Sequence, residues 1–94
     1  MPQKNILVVE DHPETRDLLA YHLKAAGYTA RTASSGQAAL DIAQRSRPDL
    51  VLLDVMLPGG MDGLEVCRKL KQDARTRGVT DLMLTALGDE VDRI

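Results

Sequence analysis

The chain has no phenylalanine and no tryptophan, and its only aromatics are Tyr21 and Tyr28. Aromatic side chains bury the largest area per residue, so the core has to be built from aliphatics, and fourteen leucines supply much of it. A single cysteine, Cys67, rules out an internal disulfide and fits a reducing compartment. No apolar run approaches the roughly 18 residues of a membrane helix. Met1-Pro2-Gln3-Lys4-Asn5 leads into a short strand-like run rather than a signal-peptide core. A large excess of one charge is missing too: 12 Lys and Arg against 14 Asp and Glu leave a net charge of −2. Such a surface has no electrostatic reason to seek nucleic acid or an anionic membrane. The 94 residues suffice for one small domain. Secreted, membrane-spanning and disulfide-rich classes are set aside. The expectation is a cytoplasmic domain with no membrane partner and no direct nucleic-acid binding.

What is present is a regular alternation. Ile6-Leu7-Val8-Val9 reads as a strand buried on both faces, closed by Glu10-Asp11. Pro13 favours a first helical turn, and Asp11 with Glu14 has capping-box spacing, which predicts a helix over Pro13–Ala26 capped by Asp11 and stopped by Gly27. Tyr28 to Ala33 reads as a strand near a sheet edge. Ser34-Ser35-Gly36 opens a second helix that ends near Arg45. Leu50-Val51-Leu52-Leu53 is a second apolar run closed by Asp54, and Leu57 to Gly63 a loop. Leu64, Val66, Cys67 and Leu70 share one face of a third helix ending near Lys71 or Gln72. Leu82-Met83-Leu84 is a third apolar run closed by Thr85, and Gly88 to Ile94 reads as the start of a fourth helix. Strands alternating with helices mean right-handed parallel crossovers and a sheet covered on both faces.

In such a sheet, ligands bind beyond the carboxyl ends of the strands. Those ends carry Glu10-Asp11, Asp54 and Thr85. Taken singly, Asp11 is a helix cap, Asp54 a loop-start residue and Thr85 a strand residue; their joint placement suggests a site. Clustered carboxylates repel, and a hard divalent cation relieves them; oxygen-only ligands suit Mg2+. A carboxylate beside such an ion can attack phosphorus in line and become an acyl phosphate.

Ile6-Leu7-Val8-Val9-Glu10-Asp11, Leu53-Asp54-Val55-Met56-Leu57-Pro58 with Asp62-Gly63 following, Met83-Leu84-Thr85-Ala86, and Ser35-Gly36 with Ala38, Ala39 and Leu40 resemble a two-component response-regulator receiver domain. The resemblance spans the whole chain, read as one receiver domain over residues 1–94. It implies a three-layer α/β/α sandwich with a parallel, flavodoxin-like sheet of order 2-1-3-4(-5). It also implies that Asp54 is the phosphoacceptor. Asp11 binds Mg2+ directly, Glu10 through water, and the Met56 carbonyl completes the metal site. Thr85 is the switch hydroxyl, and Ala86 the small residue whose backbone borders the phosphoryl site. The donor is a sensor histidine kinase or a histidine phosphotransfer protein, docking largely on the first helix.

Two departures stand out. The loop Pro58-Gly59-Gly60-Met61-Asp62-Gly63 is one glycine longer than the usual family pattern. None of Lys4, Lys24, Lys69 and Lys71 matches the family's phosphoryl-site lysine, and the sequence ends at Ile94, before a fifth strand and helix. An end inside a helix suits a fragment of a longer product. The expectation is a bare fourth-strand edge and a partly uncovered sheet face, and with them either weak stability alone or association through that edge and face, a homodimer being one such form.

The rival to a phosphoacceptor is a receiver-like interaction module, or an inactive fragment, that is not phosphorylated. P-loop and dinucleotide motifs are absent, and Met56 stands where an aspartate-nucleophile phosphatase needs a second acid. His12 and His22 read as surface or structural residues, and Cys67 as a small buried hydrophobe.

Overall fold

The computed structural model describes residues 4–55, 57 and 60–84. Its elements in chain order are β1 (Asn5–Val9), α1 (Pro13–Ala25), β2 (Thr29–Ala33), α2 (Gly36–Ser46), β3 (Leu50–Asp54), α3 (Gly63–Gln72) and β4 (Thr80–Leu84). All pairings are parallel, and the sheet order is β2-β1-β3-β4. The polar pair Thr80-Asp81 joins β4 because Leu50 and Val51 pair with it across the sheet, so ladder hydrogen bonds extend the strand beyond its apolar run.

Alternation along the strands divides the interior. Leu7 and Val9 of β1, Val51 and Leu53 of β3, Ala39, Leu40 and Ala43 of α2, and Val66 and Leu70 of α3 form one continuous buried cluster. Each fully buried Val or Leu there contributes roughly 1.5–3 kcal/mol of transfer free energy. Cys67 is half-buried and packs against this cluster rather than lying inside it. On the opposite face Ile6, Val8 and Ala20 are buried, where α1 packs on β1 and β2. That cover does not extend across the sheet: Leu50 and Leu52 are only half-buried, and Leu82, beside Leu52 in register, is 53% exposed. The expectation of a sheet covered on both faces therefore holds for β1. At β3 and β4 one face is more open among the described residues.

The helix starts show which caps the sequence can specify. Ser35 caps α2, its side chain accepting from the Ala38 N–H at 3.2 Å, and Asp62 caps α3, accepting from the Glu65 N–H at 2.9 Å. Asp11 does not cap α1. Pro13 is the first helical residue, so the cap position falls on His12, whose side chain makes no capping bond. The first intrahelical bond runs from the Arg16 N–H to the His12 carbonyl at 2.9 Å. α1 ends at Ala25, and Gly27 supplies the left-handed φ of +99° that turns the chain into β2. The predicted fourth helix lies outside the described residues.

Candidate functional site

β1 is the point where the chain order divides: β2 lies on one side of it and β3 on the other. Val9 pairs with Leu53, so the residues that follow, Glu10 and Asp54, leave adjacent central strands at the same level. This is the crevice where open parallel sheets bind ligands. The Glu10 N–H continues the ladder to the Ala33 carbonyl at 3.0 Å, and Arg16 Nη1 donates to the Glu10 carbonyl at 3.2 Å, fixing the backbone where it turns toward α1.

That turn folds three side chains together. Glu10 is 6% exposed, and its Oε2 accepts from the His12 backbone N–H at 3.1 Å and lies 3.0 Å from His12 Nδ1. Asp11 Oδ1 is sealed from solvent without a hydrogen bond, with His12 Nδ1 3.5 Å away. One donor atom from each of Glu10, Asp11 and His12 lies within 4.8 Å of the others. The hydrogen bond to Glu10, and then the charge of Asp11, hold the His12 imidazole above its ordinary pKa, and the charge of Asp54 adds to this.

On the β3 side, Asp54 is half-buried and pairs in register with Leu84. The Gly63 N–H donates to the Val55 carbonyl at 2.9 Å, which seats the start of α3 on the backbone just after Asp54. The structure thus brings Glu10 and Asp11 together and places Asp54 on the neighbouring strand end, within electrostatic reach of His12. Met56, Thr85 and Ala86 lie outside the described residues. His12 is the residue that the sequence reading passed over. Its signal was adjacency: an imidazole directly after an acidic pair, just ahead of a helix-starting proline.

The donor set fits a small divalent cation. Carboxylate oxygens dominate it, as Mg2+ prefers, and Asp11 Oδ1 is a buried acceptor with no donor to satisfy it. A buried polar atom left unsatisfied costs about 1–3 kcal/mol, and a cation there relieves that cost. An open groove lined by Arg47, Pro48, Asp49 and Arg75 lies at the opposite ends of the strands and plays no part in this arrangement. Among the described residues no helix is long and apolar enough to cross a membrane.

A family model described as "Response regulator receiver domain" matches residues 6–94. The chain is 46% identical over 91 residues to the alkaline phosphatase synthesis transcriptional regulatory protein PhoP of Bacillus subtilis, covering 97% of this chain and 37% of that protein. It is 49% identical over 89 residues to the response regulator PleD of Caulobacter vibrioides, covering 95% of this chain and 19% of that protein. The chain therefore spans well under half the length of these curated relatives. Among solved structures, the N-terminal domain of a response regulator receiver protein from Methanoculleus marisnigri superposes with a TM-score of 0.85 at 42% identity, over 90% of this chain and 68% of that one. The chemotaxis response regulator CheY4 of Vibrio cholerae superposes with a TM-score of 0.86 at 29% identity, over 98% of this chain and 76% of that one.

Proposed function

Because the chain belongs to the response-regulator receiver family, whose domains accept a phosphoryl group in two-component signalling, we propose that Asp54 is the acceptor and that Glu10 and Asp11 are the acidic pair that holds Mg2+ beside it. The observation that carries this reading is the register of β1 against β3. Val9 opposite Leu53 sends Glu10-Asp11 and Asp54 out of the sheet side by side at its switch point.

Asp11, Asp54 and the Met56 carbonyl would hold the ion, with Glu10 assisting through water. When bound, Mg2+ neutralises charge on the phosphoryl oxygens. An Asp54 carboxylate oxygen attacks phosphorus in line. The new O–P bond forms as the N–P bond of a phosphohistidine breaks, and the departing imidazole nitrogen keeps the electron pair and takes a proton. The Thr85 hydroxyl hydrogen-bonds the transferred group, and Ala86, with no bulk beyond Cβ, lets its backbone border it. The donor is a sensor histidine kinase or a histidine phosphotransfer protein, and a second copy of the chain is the further partner. Residues 1–94 act as the receiver portion of a cytoplasmic signalling protein, a phosphoacceptor rather than an enzyme turning over an external substrate. With a net charge of −2, DNA contacts are assigned to other chains or domains.

Intact mass with acetyl phosphate and Mg2+ tests this. The expected result is a gain of one phosphoryl group, dependent on Mg2+ and abolished in Asp54→Asn. Uptake that persists in Asp54→Asn moves the acceptor elsewhere; no uptake by the wild type with Mg2+ favours an interaction module that is not phosphorylated.

A further inference from the structure

We infer that Met61 is a positioning residue for the acceptor: held between Gly36 of α2 and Val66 of α3, its side chain sets the angle at which the chain enters α3 and, through Gly63, the seat of Asp54. The inference rests on the reading of Asp54 as the phosphoacceptor.

Met61 is placed by local signals. Directly ahead of it, Gly60 has a φ of +84°, the left-handed turn that glycine makes without a Cβ penalty. Directly behind it, Asp62 caps α3, accepting from the Glu65 N–H at 2.9 Å. Met61 is thus the residue before a helix cap, and Val66 stands at the fourth helical position after that cap. These are the two positions of a hydrophobic staple, the pairing that fixes the entry angle of a chain into a helix. Val66 is fully buried, and Met61 is half-buried against the same core cluster.

The staple has a third member. Gly36 opens α2, and a Cβ on it would lie 2.9 Å from Val66 Cγ2, 3.0 Å from Met61 Sδ and 3.2 Å from Met61 Cγ. Both side chains therefore close over the bare Gly36 Cα. The start of α2 is itself fixed, since Ser35 caps it through the Ala38 N–H. A second helix thus supplies the close-packed surface against which the entry to α3 is set.

That angle reaches the acceptor through backbone. The Gly63 N–H donates to the Val55 carbonyl at 2.9 Å, and Gly63 packs on the Asp54 carbonyl so tightly that no Cβ fits. A shift in the first turn of α3 is passed to the peptide that carries the Asp54 carboxylate. In-line attack depends steeply on such placement, about 1 Å of displacement costing on the order of a hundredfold in rate. Truncating Met61 empties one side of the staple and leaves the carboxylates of Glu10, Asp11 and Asp54 present, so uptake slows without being abolished.

Intact mass against time, with acetyl phosphate and saturating Mg2+, gives the rate of phosphoryl uptake by the wild type, Met61→Ala, Met61→Leu, Gly36→Ala and Ile42→Ala. Circular dichroism at the same temperature shows which variants are folded. Ile42→Ala removes another half-buried side chain packed on the same cluster, further along α2 from Gly36, and is the control for lost packing alone. Met61→Ala and Gly36→Ala are expected to take up phosphoryl about tenfold more slowly. Met61→Leu, which conserves volume, and Ile42→Ala are expected to stay within about twofold of the wild type. Uptake by folded Met61→Ala at the wild-type rate overturns the inference. So does Ile42→Ala slowed as much as Met61→Ala, or Met61→Leu that restores nothing. Where Met61→Ala is unfolded, Gly36→Ala, which reaches the same staple with Met61 intact, decides in the same way. If the wild type loads Asp54 and the variants keep pace with it, the acceptor reading stands and the inference alone falls. If the wild type takes up nothing, or loads a residue other than Asp54, the acceptor reading falls and the inference with it.

Discussion

Gly63, the first residue of α3, lies against the carbonyl oxygen of Asp54 so closely that a Cβ there would collide with that oxygen and come within 2.9 Å of the Val55 Cα. The obstacle is backbone, not the end of a flexible side chain. α3 therefore rests directly on the strand that ends in Asp54, with the Gly63 N–H bonded to the Val55 carbonyl at 2.9 Å.

Gly63→Ala sets two effects against each other. Alanine in a helix is favoured over glycine by about 0.8–1.0 kcal/mol, while forcing a methyl group into backbone typically costs 1–3 kcal/mol. Since neither Asp54 nor Val55 can move without disturbing β3, the steric effect wins. A net loss of up to about 2 kcal/mol is expected, read as a melting temperature lower by up to roughly 15 °C for a domain of this size. An unchanged or higher melting temperature would mean that α3 is not seated on β3 as described.

Asp11→Ala separates two roles by sign. As a helix cap, Asp11 would lose about 1 kcal/mol on truncation. It is not the cap, and its Oδ1 is buried without a hydrogen bond in a side chain that is 30% exposed. Removing it is expected to leave metal-free stability unchanged or raise it by up to about 1 kcal/mol, and to abolish Mg2+ binding. Thermal melts in chelator, paired with Mg2+ calorimetry on the same variant, decide it.

Much of this could be seen in the residues, because apolar runs, glycines and prolines act locally. Ile6 to Val9 and Leu50 to Leu53 declare strands, Ser35 and Asp62 cap helices as their types suggest, and Glu10-Asp11 and Asp54 close the apolar runs. What the residues hid was non-local or geometric. Capping-box spacing pointed at Asp11, yet with the helix starting at Pro13 the cap position falls one residue later, on His12, a choice between two local signals that spacing alone does not settle. Thr80 and Asp81 joined β4 through pairing with β3, which no single-strand pattern encodes. The half-buried face of Leu50 and Leu52 depends on which helices lie over it, and the part of His12 depends on a turn that folds its ring back onto Glu10.

Cys67 carries a test of local environment. Burial against the core, and then the charge of Asp81, push its thiol up to about 11. The thiolate is the nucleophile, so alkylation at neutral pH is expected to be slow for a half-buried thiol. The rate should keep rising with pH well past the 8.5 of an unperturbed cysteine. Asp81→Asn removes the neighbouring charge and should shift the rate profile to lower pH. A profile that levels off near pH 8.5, or does not respond to Asp81→Asn, would contradict this environment.

Asp73 closes the turn after α3 and takes the opposite shift. Its Oδ2 accepts from Arg75 Nη2 at 2.9 Å and from Gln44 Nε2 at 3.2 Å, which ties the end of α3 to α2, while Oδ1 accepts from the Arg75 N–H at 2.8 Å. The Arg75 side-chain hydrogen bonds, and then its backbone N–H, hold the carboxyl down at about 2. A carboxyl whose pKa is depressed by folding binds fewer protons in the native state, so its contribution is present above the unfolded value of 3.8 and is lost as pH falls through about 2. Asp73→Asn is therefore expected to lower the melting temperature at pH 6, and the gap to the wild type should narrow steadily between pH 4 and pH 2. Arg75→Ala should show the same narrowing, because it removes the first cause of the shift. A gap that is constant over this range would place the stabilisation in the backbone turn itself, in the bonds from the Thr76 and Arg77 N–H groups to the Asp73 carbonyl at 3.0 and 2.9 Å, rather than in the charged side chain.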